Sequence, residues 1–227
     1  MSFTYHRSYI TCNAIKLLHG FGMRDGALPL PAGIIVATSR QVHGDCIRVI
    51  DGRDYFPEAD GLMTDRPEFA LCIRTADCTP IFLHDPVKRA IAAVHAGWRG
   101  TALDIAGKAV REMSRVYGSK PYDIVAAVGP AIGKCCFETD YDVPEAVREL
   151  LKDDAGAFIE KAGDKYHVDI PSINAFLLRR SGVGHVELLS ECTRCNDSRF
   201  WSYRAQGSAA GRQLNYIVLQ GSYETIN

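Results

Sequence analysis

No stretch of this 227-residue chain approaches the roughly 20 consecutive apolar residues that a membrane-spanning helix needs. The opening residues, Met1-Ser2-Phe3-Thr4-Tyr5-His6-Arg7, lack the basic segment and long apolar run of an export signal, so a cytoplasmic location is expected. Neither sign of charge is in excess. With 26 Lys and Arg against 27 Asp and Glu, the formal net charge is -1, which gives no electrostatic case for nucleic acid or an anionic membrane as partner. Internal repeats, low-complexity tracts and long linkers are also absent. So are several catalytic signatures: His-Glu-x-x-His, a P-loop, a Gly-x-Ser-x-Gly elbow, and the His-x-Glu with Pro-Cys-x-x-Cys of zinc nucleobase deaminases.

What remains has the balance of a globular protein, 47% apolar and 23% charged, and is long enough for one large domain, read here as 1–227. Eight cysteines would suit disulfides in a small secreted chain. Here they are expected to stay reduced, with Cys12, Cys46 and Cys72 as core residues and others as ligands. Apolar runs predict strands at 33–38, 46–50, 69–73, 79–83, 90–94, 124–128, 186–189 and 216–219, several of them continuous and therefore buried on both faces. Leu103, Ala106, Val110, Met113 and Tyr117 repeat at helical spacing, which predicts a helix over 101–116, with Thr101 and Asp104 at its start and Gly118 at its end. Further helices are expected over 144–152 and 172–180. These elements do not alternate regularly, so the expected class is α+β, mixed β-sheets partly covered by helices, and not a dinucleotide-binding fold.

Two segments concentrate the chemistry: Arg74-Thr75-Ala76-Asp77-Cys78 and His95-Ala96-Gly97-Trp98-Arg99-Gly100. Each adjoins an apolar run, and Pro80 places Cys78 in a turn or at a strand start. His43, in Gln41-Val42-His43-Gly44, reads as a strand edge followed by a turn. Two neutral imidazoles and one thiolate make a three-ligand set for zinc with a fourth position left open, the arrangement of catalytic zinc sites. A thiolate beside Asp77 is disfavoured unless a cation offsets it, and zinc would supply that cation. Set against this, a free cysteine is most often a small buried hydrophobe, and a lone histidine most often a hydrogen-bonded surface or core residue. Cys192-Thr193-Arg194-Cys195 is a CxxC, but no second such pair stands at zinc-finger spacing. Cys135-Cys136 is not expected to substitute, and the CxxC is read as structural or incidental ahead of a redox role.

Gln41-x-His43-Gly44, Ala59-Asp60-Gly61-Leu62-x-Thr64-Asp65, Thr75-Ala76-Asp77-Cys78-x-Pro80 and His95 to Gly100 together resemble the laccase-domain (YfiH-like) family. The likeness continues through Gly129-Pro130-x-Ile132-Gly133-x-Cys135-Cys136-Phe137-Glu138, Cys192-Thr193-x-Cys195, Trp201-Ser202-Tyr203-Arg204 and Gly211-Arg212. The resemblance implies one α+β domain and a metal held by His43, Cys78 and His95, with zinc ahead of copper. It also implies purine nucleoside phosphorolysis (adenosine, inosine, guanosine, methylthioadenosine) and adenosine deamination, in a monomer or small homo-oligomer. In that frame Asp77 is the candidate proton shuttle beside the ligand Cys78. Arg74 is the favoured holder of inorganic phosphate, over Arg99 and Arg204. Phe137, Trp98 and Tyr203 are candidates to stack on the base. The family's polyphenol-oxidase name fits poorly: a multicopper oxidase needs more imidazoles than the 7 present, and no methionine stands near Cys78 or His95. Three alternatives stay open. One is amide hydrolysis on a peptidoglycan precursor, and another uses Cys78 as covalent nucleophile with His95 as base. The third is a non-enzymatic zinc-stabilised module whose fourth ligand would be Cys135 or Cys136.

Overall fold

The computed structural model describes residues 2–24, 26, 29–52 and 58–219. Its long continuous apolar runs become the inner strands of two six-stranded sheets. One sheet has the order Phe3–Tyr5, Tyr9–Cys12, His19–Gly22, Gln213–Val218, Phe69–Thr75, Ile35–Ala37. The other runs His185–Leu188, Val125–Val128, Thr79–Asp85, Ala90–Ala96, Gly61–Thr64, Ile47–Val49. A small third sheet joins Glu138–Thr139, Lys165–Val168 and Ile159–Ala162.

The second sheet is the middle layer, which is why its central strands read as unbroken hydrophobic segments. Residues of one parity, Ile81, Leu83, Ala92 and Val94, join Ala106, Val110, Met113, Leu177 and Leu178 in a core under the helices Ile105–Tyr117 and Ile170–Arg180. Residues of the other parity, Phe82, Ile91 and Ala93, pack with Phe21, Leu71, Ile73 and Ile217 of the first sheet. The α+β expectation therefore holds, with helices covering one face of one sheet.

Differences lie at element ends and in polar or glycine-rich strands. The helix expected over 101–116 is two helices, Trp98–Ala102 and Ile105–Tyr117. Asp104 interrupts them in the left-handed region (φ 56°) and caps the second by accepting the Gly107 N–H at 3.2 Å. Asp tolerates that conformation and offers its own carboxylate to the backbone, so it starts a helix more readily than it continues one. Leu103 falls at the break and is exposed, while the buried Thr101 hydroxyl accepts from Asn174 Nδ2 at 2.9 Å. Gly118 ends the helix as expected, at φ 68°. The other two helices span Asp142–Leu151 and Ile170–Arg180; the latter starts two residues early because Asp169 caps it through the Ser172 N–H. His19-Gly20-Phe21-Gly22 and Gly61–Thr64 form strands that local propensity does not favour. Burial between layers decides them instead.

Candidate functional site

The strand Ala90–Ala96 delivers His95 at its end, almost wholly buried, and the antiparallel neighbour Thr79–Asp85 begins at the residue after Cys78, with Pro80 paired to His95. Pro80 is the second residue of its strand, so Cys78 lies in the bend before it, as the proline required. His43 is not on a strand edge. It occupies a loop with φ 61°, and the three consecutive backbone N–H groups of Val42, His43 and Gly44 all donate to the Asp60 carboxylate at 2.8–3.2 Å. Asp60, fully buried, also accepts from His95 Nδ1 at 2.7 Å. One carboxylate thus folds the His43 loop and fixes the His95 ring, so that Nε2 faces Cys78 and can act as ligand.

The ligand atoms of His43, Cys78 and His95 lie within 4.8 Å of one another, and the two imidazoles meet edge to face with centroids 4.9 Å apart. Gly97 makes this approach feasible: a Cβ there would lie 3.0 Å from His43 Cδ2 and 3.3 Å from Cys78 Sγ. Burial alone would raise the Cys78 thiol, but hydrogen bonds from His43 and His95 outweigh it and hold the thiol down to about 6. Burial likewise opposes a charged His95, yet Asp60 and Cys78 push it up to about 9. Burial also works against ionised Asp60, but His95 and the backbone donors keep its carboxyl below the usual range. Anionic sulfur and two nitrogens facing one point are donors that suit a borderline-soft divalent metal, and the carboxylate behind His95 is the support such histidines ordinarily have.

A cavity of about 580 Å³ opens onto this cluster. Three guanidinium residues line it, Arg74, Arg204 and Arg212, together with Asp77, Gln41, Phe137 and Tyr203. Gln41 donates to the Arg74 carbonyl at 2.8 Å and accepts its N–H at 2.9 Å, which ties the two segments together. Arg204 donates from Nη1 to the Cys136 carbonyl at 3.1 Å and lies over the Phe137 ring. The Asp77 carboxylate accepts from Thr193 Oγ1 at 2.6 Å and from the Arg204 N–H at 2.7 Å, and its backbone has φ 87°. Arg99 is not part of the cavity lining; it is exposed and stacked on Trp98, which packs against the helix-side core.

The profile described as "Multi-copper polyphenol oxidoreductase laccase" matches residues 26–220. The chain belongs to this laccase-domain family. Among curated relatives, a protein of Bacillus subtilis (strain 168) named purine nucleoside phosphorylase YlmD is 34% identical over 71% of this chain and 59% of its own length. A Bacteroides thetaiotaomicron protein named purine nucleoside phosphorylase is 37% identical over 70% of this chain and 60% of its own length. The chain thus covers less than two thirds of those relatives. Among solved structures, YlmD from Geobacillus stearothermophilus superposes with a TM-score of 0.88 at 26% identity, covering 97% of this chain and 99% of that one. A Bacillus licheniformis hypothetical protein YfiH also gives 0.88, at 28% identity, covering 96% and 99%.

In this laccase-domain protein two imidazoles, His43 and His95, enter a ligand cluster, and no fourth protein ligand joins them among the described residues. Cys135 and Cys136 belong instead to a second group, with Cys192 and Cys195, so the fourth-ligand role considered for them is not what the fold gives. The expectation that Cys135-Cys136 would not complement the CxxC is likewise corrected: a turn stacks the adjacent cysteines against it. Sequence reasoning gave Asp60 and Arg212 no role, although both stand inside the motifs that carry the family resemblance.

Proposed function

We propose that this chain is a zinc-dependent purine nucleoside phosphorylase with adenosine deaminase activity. The observation that carries the reading is the shared cavity: His43, Cys78 and His95 open onto the same space as three arginines and two aromatic rings. The names of the relatives agree with it. Zinc held by those three side chains would supply a Lewis acid with an open coordination position; copper is the second candidate.

The chain's own groups account for the rest of phosphorolysis. Arg74, with Arg204 and Arg212, presents paired N–H donors to inorganic phosphate. A phosphate oxygen forms the bond to ribose C1′ as the bond from C1′ to the purine nitrogen breaks, and the departing base takes up a proton. Phe137 and Tyr203 flank the base. Asp77 has two duties in this reading: it holds the Arg204 backbone, and through its remaining lone pairs it relays the proton. For deamination, water adds at C6 of adenosine and ammonia leaves, giving inosine, with Asp77 again moving the proton.

One observation favours a second reading. Cys78, His95 and Asp60 form a thiol–imidazole–carboxylate chain with the thiol held down to about 6, an arrangement that suits a cysteine nucleophile acting on an amide, as on a peptidoglycan precursor. Chromatography of the products formed from adenosine decides between them. Adenine formed only with inorganic phosphate, or inosine without it, and neither from Cys78→Ala, supports the purine reading. No product from zinc-loaded wild-type protein overturns it for adenosine.

A further inference from the structure

The loop 131–137 and the turn 192–195 meet at the surface beside the cavity. A parallel bridge between Ala131 and Cys192 starts the junction, with the Thr193 N–H donating to the Ala131 carbonyl at 3.0 Å. Beyond it, four thiols converge. The Sγ atoms of Cys135, Cys136, Cys192 and Cys195 all lie within 4.8 Å of one another, with 3.6 Å between Cys135 and Cys195 and 3.4 Å between Cys136 and Cys195. A tetrahedron of zinc–sulfur bonds of about 2.3 Å has sulfur–sulfur edges of about 3.8 Å; these two separations fall within a few tenths of an ångström of that edge, and every other pair lies within 4.8 Å.

Two further features fit a bound thiophilic cation. The backbone N–H of Gly133 points at Cys192 Sγ at 3.3 Å, a donor that stabilises a thiolate. The Arg194 guanidinium approaches Cys136 Sγ at 3.8 Å, placing positive charge beside a set of sulfurs that would be net anionic once metallated. Gly133 allows the packing, since a Cβ there would lie 3.3 Å from Cys192 Cβ and 3.4 Å from Cys135 Sγ.

The structure assigns Cys135, Cys136, Cys192 and Cys195 as a second, structural zinc site of the closed four-thiolate type. Its place in the fold gives it a purpose. The Cys136 carbonyl anchors Arg204, the next residue is the cavity ring Phe137, and Thr193 of the CxxC holds Asp77. An ion here clamps the two loops that build one wall of the cavity. This site needs no particular reading of the reaction, because its readout is metal binding and not turnover.

The test is zinc content and cobalt spectroscopy on the whole chain purified under reducing conditions. Wild type is expected to bind two equivalents of Zn²⁺, and Cys135→Ser with Cys195→Ser to lose one while Cys78→Ala loses the other. Because a serine variant can misfold, Co²⁺ titration of Cys78→Ala provides an independent reading. It should give the intense charge-transfer and tetrahedral d–d bands of a tetrathiolate. A wild-type zinc content that Cys135→Ser with Cys195→Ser leaves unchanged, no tetrathiolate cobalt spectrum, or a native mass showing disulfides among these four cysteines would overturn the assignment; a single equivalent that Cys78→Ala retains and the double serine variant loses would support it.

Discussion

The two sulfur-containing clusters of this molecule are built on opposite principles. The His43–Cys78–His95 cluster combines unlike ligands from a loop, a bend and the end of a buried strand, leans on the buried carboxylate of Asp60, and faces a cavity. The other gathers four thiols on two surface turns, Cys135 and Cys195 being exposed, with no carboxylate in the group among the described residues. Three protein ligands leave a coordination position for substrate, whereas four close it. On the reading proposed above, ligand count and ligand type together would separate a site built for chemistry from one built to hold loops together.

The sharpest way to break this comparison is to remove one sulfur from each. Cys78→Ala should lower nucleoside phosphorolysis on the order of 10³-fold by costing a ligand of the open site. Cys195→Ser should leave activity within about tenfold, because the closed site acts only through loop position. Initial rates at saturating phosphate check both, and equal losses would show that the clusters are not separable.

Next in size is thiol reactivity in the metal-free protein. His43 and His95 overcome burial and hold Cys78 down to about 6, so it is mostly thiolate at neutral pH. Burial and neighbouring thiols push Cys135 up, so it stays protonated there. Thiolate is the reactive form, and its fraction grows as pH rises through the pKa. Alkylation by a neutral reagent should therefore reach its plateau near pH 7 at Cys78 and still be climbing at about pH 9 at Cys135. The thiolate fractions differ by more than about 10²-fold at pH 7. Peptide mapping after timed labelling measures this, and a common midpoint would remove the electrostatic contrast.

Asp60→Asn probes the support behind the open site. Its amide cannot serve both the three loop N–H groups and His95 Nδ1 as a carboxylate does, so metal affinity at the three-ligand site should fall about 10- to 100-fold. Competition with a chromogenic chelator reads this directly. The four-thiol cluster should keep its affinity, since Asp60 touches none of its members.

How much of this the sequence shows differs between the clusters for a physical reason. His43, Cys78 and His95 were picked out because three ligand-type residues stand in polar, punctuated segments beside apolar runs, and the fold brings their ligand atoms together. Asp60 was not, because its role arises from pairing across strands 35 residues away from His95, and one acid among 27 acidic residues carries no local mark. The four-thiol cluster escaped because the spacing rule looks for two CxxC pairs, whereas here a turn at Gly133 stacks adjacent cysteines against a single pair. In the fold, strands buried on both faces declared themselves as apolar runs. Glycine-bearing strands such as His19–Gly22 did not, since only layer packing makes them strands.

The smallest expected effect tests the physical link between the two regions. Thr193 lies between Cys192 and Cys195, is fully buried, and donates its hydroxyl to Asp77 Oδ1 at 2.6 Å, next to Cys78 in sequence. Thr193→Val keeps the shape and removes the donor, leaving a carboxylate oxygen short of a partner at a cost of about 1–3 kcal/mol. The melting temperature should drop by a few degrees. Because Asp77 Oδ2 still holds the Arg204 N–H, the change in phosphorolysis should be a few-fold, confined to the KM for phosphate, with both metal equivalents retained. A loss of kcat as large as that of Cys78→Ala would mean that the CxxC turn positions the reacting groups themselves, and the separation of chemistry from scaffolding would fail at this hydroxyl.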